Sequence, residues 1–141
     1  TLADYRGRPL AVEFIYVRCD SVCRSLGAAF QQIRDALPTT GAGGPALLSI
    51  SFDPLNDDVA ALREWATRHG ADGQRWRVAR PRDPARTAAL LSAFGVVAVP
   101  DGLGGYEHNA AIHLLDDAGR LVRISDIEAP QAFIAALERL P

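Results

Sequence analysis

The chain contains no lysine: its Lys and Arg residues, 15 in all, are every one arginine. That reads as compositional bias, and no function follows from it. An excess of charge of either sign is also missing. The formal net charge is −2, which removes the electrostatic case for nucleic acid or an anionic membrane surface as a partner. Long apolar runs are absent, and none approaches the roughly 18 residues that a membrane span needs. The opening residues, "TLADYRGRPL", show no charged segment followed by an apolar one. No signal peptide is therefore expected in them, and they read as folded-domain sequence. Cysteine is limited to two residues in 141, too few for a disulfide scaffold. With 48% hydrophobic and 23% charged residues, the composition is that of a soluble globular protein. The length suits one domain, 1–141, around a single core, expected as a monomer.

The periodicity alternates between strand and helix. Leu10 to Val17, "LAVEFIYV", is apolar, β-branched and aromatic, as a strand buried on both faces is. Leu26, Phe30, Ile33 and Leu37 then recur at helical spacing. "PTTGAGGP" breaks the pattern, and "ALLSISF" is a second buried strand. "DPLNDD" opens a helix running to about His69, with Gly70 as its C-cap. "WRVA" is a short strand candidate. "DPARTAALLSAFG" is a capped helix, with Asp83 ahead of Pro84 and Gly95 at the far end. "VPDGLGGYEHN" reads as a glycine-rich loop. "AAIHLLD" and "RLVRIS" form a strand pair about the turn "DAG", and Ala129 to Leu140 closes as an amphipathic helix. The early crossovers imply parallel strands and the late pair an antiparallel hairpin. A parallel βαβ unit joined to a C-terminal ββα unit makes a central mixed sheet flanked by helices, the thioredoxin-like α/β arrangement.

The most informative spacing is that of Cys19 and Cys23 in "YVRCDSVCRSLG", where the first strand gives way to the first helix. Open α/β sheets bind ligands at that end of a parallel strand. A helix N-terminus there favours thiolate over thiol. An i, i+4 pair on a helical turn sets the Cβ atoms about 5–6 Å apart. A disulfide wants them ~3.5–4.5 Å apart, so bridging needs local adjustment, which a metal ion between the sulfurs would relieve. Thiolates select soft ions such as Cu(I), with zinc the other candidate. The bland reading, two small core residues, fits a strand-to-helix turn less well.

Three motifs in order resemble the Sco/SenC family along nearly the whole chain. C-x-x-x-C after the first core strand is matched by Cys19 and Cys23. "S-x-D-P-x-x-D" is matched by "SFDPLNDD", giving Asp53, Pro54 and Asp57; "LREWATRHG" follows as the family's helix does. The histidine segment before the last strand pair is matched by "EHNAAIHLLDDAG", which places the third ligand at His108. The family usually carries proline after the first cysteine and often after the second, where this chain has Asp20 and Arg24. The resemblance implies one copper ion per chain, Cu(I) or Cu(II), held by Cys19, Cys23 and His108. It implies delivery to the copper centre of a respiratory cytochrome oxidase, directly or through another copper carrier. It also implies a periplasmic or otherwise extracytoplasmic location, any membrane tether being a segment absent from this chain.

The other polar candidates divide into roles and bland alternatives. His113 lies an odd separation from His108 and is read as packing. His69, beside Gly70 at a helix C-terminus, interacts with the helix dipole and is given no functional role. Asp53 ends the second strand and either supplies a weak oxygen ligand or outer hydrogen bond, or caps the following helix or turn. Glu13 interrupts an apolar strand, where a carboxylate is costly unless paired or protonated. An arginine partner across the sheet is the expected account. Yet "VEFIYVRC" also resembles the thioredoxin stretch in which a buried acid six positions before the first cysteine assists proton transfer. A thiol–disulfide oxidoreductase is thus the alternative to a copper carrier, although C-x-x-C is the usual spacing for one. A peroxidase or redox sensor, with Cys19 attacking and Cys23 resolving, ranks third.

Overall fold

The architecture comes from a computed structural model, which describes residues 1–19, 22–37 and 44–140, with the backbone alone for Val22 and Cys23. Asp20, the side chain of Cys23 and most of "PTTGAGGP" lie outside the described residues. A short 3-10 turn, Leu2–Tyr5, leads into β1 (Leu10–Ile15), α1 (Val22–Ala36), β2 (Ala46–Ser51), α2 (Val59–His69), β3 (Trp76–Ala79) and α3 (Pro84–Ala93). There follow β4 (Ala98–Pro100), β5 (Tyr106–His108), β6 (Ile112–Leu115), β7 (Leu121–Ser125) and α4 (Pro130–Leu137). The main sheet has the order β3-β2-β1-β6-β7. β1, β2 and β3 are parallel, while β6 runs antiparallel to β1 and β7 to β6. This is the thioredoxin-like fold read from the sequence.

β1 is central, and all six of its residues are buried. Its alternation sorts two packing faces. Phe14 meets Phe94, just past α3, at 5.1 Å between ring centroids, and His113 of β6 at 5.6 Å. On the other face Phe30 of α1 meets Trp76 of β3 at 5.6 Å. Helices on both faces explain why the strand reads as an apolar run interrupted only at Glu13. Among the described residues no helix is long and apolar enough to cross a membrane.

Three expectations change in detail. β1 stops at Ile15, because the Val17 N–H is taken by the Asp57 carboxylate at 3.0 Å rather than by a ladder. α2 does not open at Asp53. Its N-cap is Asp58, whose carboxylate accepts from Ala61 N–H at 2.8 Å, and residues 53–57 form a turn closed on the Asp53 carbonyl. The glycine-rich loop is a small hairpin, with β4 and β5 antiparallel and His108 opposite Ala98. The Asp101 carboxylate holds its tip, accepting from Leu103 N–H at 2.7 Å and Gly105 N–H at 2.9 Å. Gly102 and Gly104 turn there at φ of 75° and 90°, a backbone region that side chains disfavour.

Candidate metal centre

The C-terminal ends of β1 and β2 gather the polar and aromatic groups that single out this edge of the sheet. Tyr16, directly after β1, is the organiser. Its hydroxyl donates to the Tyr106 carbonyl at 3.1 Å and accepts from the Tyr106 N–H at 3.3 Å. This fastens the β4–β5 hairpin to the end of β1. Tyr16 also fixes the approach to the first cysteine, since Cys19 N–H donates to the Tyr16 carbonyl at 3.2 Å. Cys19 is partly exposed.

His108 ends β5, half-buried, with its imidazole against the same aromatic set. Phe52 lies 5.1 Å away and Tyr16 6.1 Å away, both edge-on. Tyr106 completes the cluster, 5.3 Å from both Tyr16 and Phe52. Cys19 and His108, distant in sequence, are thus tied to one residue, Tyr16. His108 is therefore no exposed loop histidine. The sequence held a signal for its hairpin in the Asp-Gly pair at 101–102 between residues of high strand propensity.

Asp53 is buried at this edge, yet well satisfied. Both its carboxylate oxygens accept from Asn56 Nδ2, at 2.9 and 3.0 Å, and Arg18 stands 3.5 Å away. It does not cap α2. Burial first, then the Asp53 charge nearby, raises the Tyr106 phenol above its ordinary pKa, with Arg18 opposing. In the sequence Asp57 stands out only through its motif, and its position in the fold shows more. Its Oδ2 accepts from Ser51 Oγ at 2.6 Å as well as from Val17 N–H. One buried carboxylate therefore ties the end of β2 to the segment that carries Cys19. Burial is the main cause of its raised pKa, while the two hydrogen bonds oppose it.

Glu13 lies elsewhere, within the sheet rather than at its edge. It is fully buried beside Ser49, its register partner on β2. Ser49 Oγ donates to Glu13 Oε1 and accepts from Trp76 Nε1 at 2.8 Å. No arginine pairs with Glu13 among the described residues, so the expected ion pair is replaced by this neutral chain. The reason is position: a central strand covered on both faces leaves no room for a long cationic side chain. Desolvation pushes the Glu13 carboxyl up to about 8, against the smaller opposing effect of Ser49. It is therefore protonated through most of the neutral range.

His113 is buried against Phe14 and Phe94, with Nδ1 3.3 Å from the Val12 carbonyl. Burial lowers its pKa, in keeping with a packing role. Among the described residues no group of three or more His, Cys, Asp and Glu stands together as a metal site. The sulfur that would complete one, that of Cys23, lies outside them. The donor set otherwise suits a soft ion. A thiol and an imidazole share one sheet edge, and the carboxylates there are engaged by Asn56, Ser51 and backbone.

The family model described as SCO1/SenC matches residues 1–140. None of the curated protein sequences matches the chain. Among solved structures, copper-bound ScoI of Bradyrhizobium japonicum is similar at 26% identity and TM-score 0.81, over 99% of this chain and 89% of that one. A SCO1/SenC family lipoprotein of Bacillus anthracis gives 18% identity and TM-score 0.83, over 98% and 84%. BsSco, a Sco-family cytochrome c oxidase assembly protein with a disulfide switch, gives 14% identity and TM-score 0.76, over 97% and 81%.

Proposed function

The chain belongs to the SCO1/SenC family, and from that membership we propose that it carries copper. One ion is bound per chain through Cys19, Cys23 and His108 and passed to the copper centre of a respiratory oxidase or to another carrier. The observation behind this reading is the Tyr16 junction, which ties His108 and Cys19 to the same sheet edge. The copper bound in the Bradyrhizobium relative supports copper as the ion. Two sulfurs and one imidazole serve both oxidation states of copper. The fixed hairpin holds the imidazole, while partial exposure of Cys19 lets a recipient's ligands reach the ion. The Bacillus lipoprotein supports an extracytoplasmic setting, with the tether on a segment absent from this chain.

Copper should bind at one ion per chain when the cysteines are reduced and be lost when they are oxidised, since a disulfide supplies no thiolate. Metal analysis of both forms after desalting checks this. Equal copper in the two samples would remove the cysteines from the site.

A second reading, a thiol–disulfide oxidoreductase acting on a partner's cysteines, is favoured by Glu13. A buried carboxyl that holds its proton to about pH 8 suits proton exchange with a thiol, and BsSco is described with a disulfide switch. In that case Glu13→Gln shifts the pH profile of Cys19 alkylation while sparing copper affinity.

A further inference from the structure

β3 is the outer strand on the β2 side of the main sheet, and a cavity of about 630 Å³ runs between it and α2. That size falls within the range of ligand pockets, roughly 300–1,000 Å³. Its apolar lining comes from Val59, Leu62 and Ala66, one stripe of α2, and from Trp76 and Val78 of β3. Val59 is 53% exposed. The charged groups lining it are Arg63, Arg80 and Asp72. The Asp72 carboxylate is spent on the turn before β3, where one oxygen accepts from Gln74 and Arg75 N–H at 2.8 Å and from Trp76 N–H at 3.0 Å. Arg80 donates to the Pro54 carbonyl at 2.7 Å, which leaves its charge unneutralised. Residues 75–86 carry Arg75, Arg77, Arg80, Arg82 and Arg86 against Asp83 alone, in a chain whose net charge is −2. The groove is thus apolar within and basic around.

The backbone beside it is open. Leu47 N–H donates to the Arg75 carbonyl at 2.9 Å, and Leu47 stands opposite Trp76. In a parallel ladder this turns the backbone of positions 75, 77 and 79 toward β2 and that of 76 and 78 outward. The Trp76 groups are already used: its N–H goes to Asp72, and its carbonyl accepts from Gly73 N–H at 2.9 Å. Val78 N–H and C=O take no part in the ladder, and no other bond among the described residues uses them. A short edge flanked by arginine discourages unwanted sheet pairing. That accounts for the charge, but not for an apolar groove beside open backbone with Val59 left in solvent.

We propose that β3 and its groove with α2 bind an extended acidic segment of a partner protein, which adds to the sheet beside β3. An added strand takes affinity from main-chain bonds and specificity from alternate side chains. Trp76 packs against Phe30 of α1 and Trp65 of α2, so Val78 shares that face and Arg77 lies on the other. Apolar side chains of the segment enter the groove, flanked by Arg63 and Arg80, and its acidic side chains meet Arg77. This surface does not rest on the copper reading, since none of the proposed ligands lines the cavity.

The test uses the full reduced chain, ¹⁵N-labelled, with a short peptide of alternating glutamate and valine, its lysine-for-glutamate counterpart, and phosphatidylglycerol vesicles. The glutamate peptide should bind saturably, shift the amide signals of β3 and α2, and slow hydrogen exchange at Val78. Arg63→Glu/Arg77→Glu should weaken that binding at least about tenfold, with thermal unfolding confirming that the variant folds. Val78→Pro removes the open N–H at an edge position that tolerates proline, and should weaken binding without reversing a charge. No saturable binding of the glutamate peptide, equal binding of the lysine peptide, shifts confined to other faces, or unchanged affinity in the charge variant would each overturn the proposal. Binding to the vesicles alone would overturn it in favour of a lipid surface.

Discussion

His108→Ala is expected to fold, to keep its thiols reactive and to lose Cu(II) affinity at least tenfold, about 1.4 kcal/mol or more. Cu(II) prefers nitrogen and should suffer most, whereas Cu(I) retains the sulfurs and should weaken less. An exposed loop histidine would cost only about 0.5 kcal/mol of stability. The ring contacts with Phe52 and Tyr16 raise the expected cost to about 1 kcal/mol, as for an ordinary partly buried change. His113→Ala should behave in the opposite way. Its ring fills the core between Phe14 and Phe94, so truncation should cost about 2–5 kcal/mol and leave copper affinity alone. Copper titration in both oxidation states, with thermal unfolding of the two variants side by side, checks the pair. Wild-type Cu(II) affinity in His108→Ala would remove the imidazole from the site and bring the oxidoreductase reading forward.

The second large effect is on stability against pH, and Glu13 governs it. Its carboxyl is at about 8 in the folded chain against 4.5 when free. Between those values the unfolded chain ionises while the folded chain stays protonated. The folded state therefore binds the extra proton, and stability falls as pH rises, by up to ~1.4 kcal/mol per pH unit for one group. That contribution is intact below 4.5 and gone above about 8. His113 acts in the other direction. Its lowered pKa removes stability as pH falls below 6.5, so the two effects oppose each other in the acid range. Asp57, raised from 3.8, acts in the same sense as Glu13. From pH 6.5 to 8 Glu13 acts without His113, and the wild type should lose of the order of 2 kcal/mol. Glu13→Gln keeps the shape and removes the charge, so its stability should be nearly flat there. Denaturant unfolding at several pH values measures both. Parallel wild-type and variant curves would mean that Glu13 finds a counter-charge after all.

The fold was legible because its strands differ in burial. β1 and β2 are covered on both faces and read as largely apolar runs, interrupted by Glu13 in one and by Ser49 and Ser51 in the other, and the capped helix at Asp83 and Pro84 announces its own start. The hairpin carrying His108 was hidden, because its strands are only three residues long and rich in glycine nearby. Asp101 closes the hairpin's tip locally, but the tie that fastens the hairpin to the sheet is the tertiary pair of bonds between the Tyr16 hydroxyl and Tyr106. No local pattern encodes that tie. The candidate ligands were legible through spacing and resemblance, but their support was not. Tyr16 and Phe52 looked like ordinary strand aromatics, and Asp57 looked like part of a helix start. Only the return of residue 57 onto Val17 and Ser51 shows that it anchors the cysteine segment. Glu13 was conspicuous in sequence, but its partner was misjudged. An arginine is plausible for a carboxylate in an edge strand, whereas in the central one Glu13 meets Ser49, which in turn accepts from Trp76.

The most direct test of the copper site is X-ray absorption at the copper edge of the reduced wild-type chain loaded with one equivalent of Cu(I). The expected first shell is two sulfurs and one imidazole nitrogen per copper. A shell with one sulfur or none, or one built of nitrogen and oxygen alone, would contradict a site made of Cys19, Cys23 and His108.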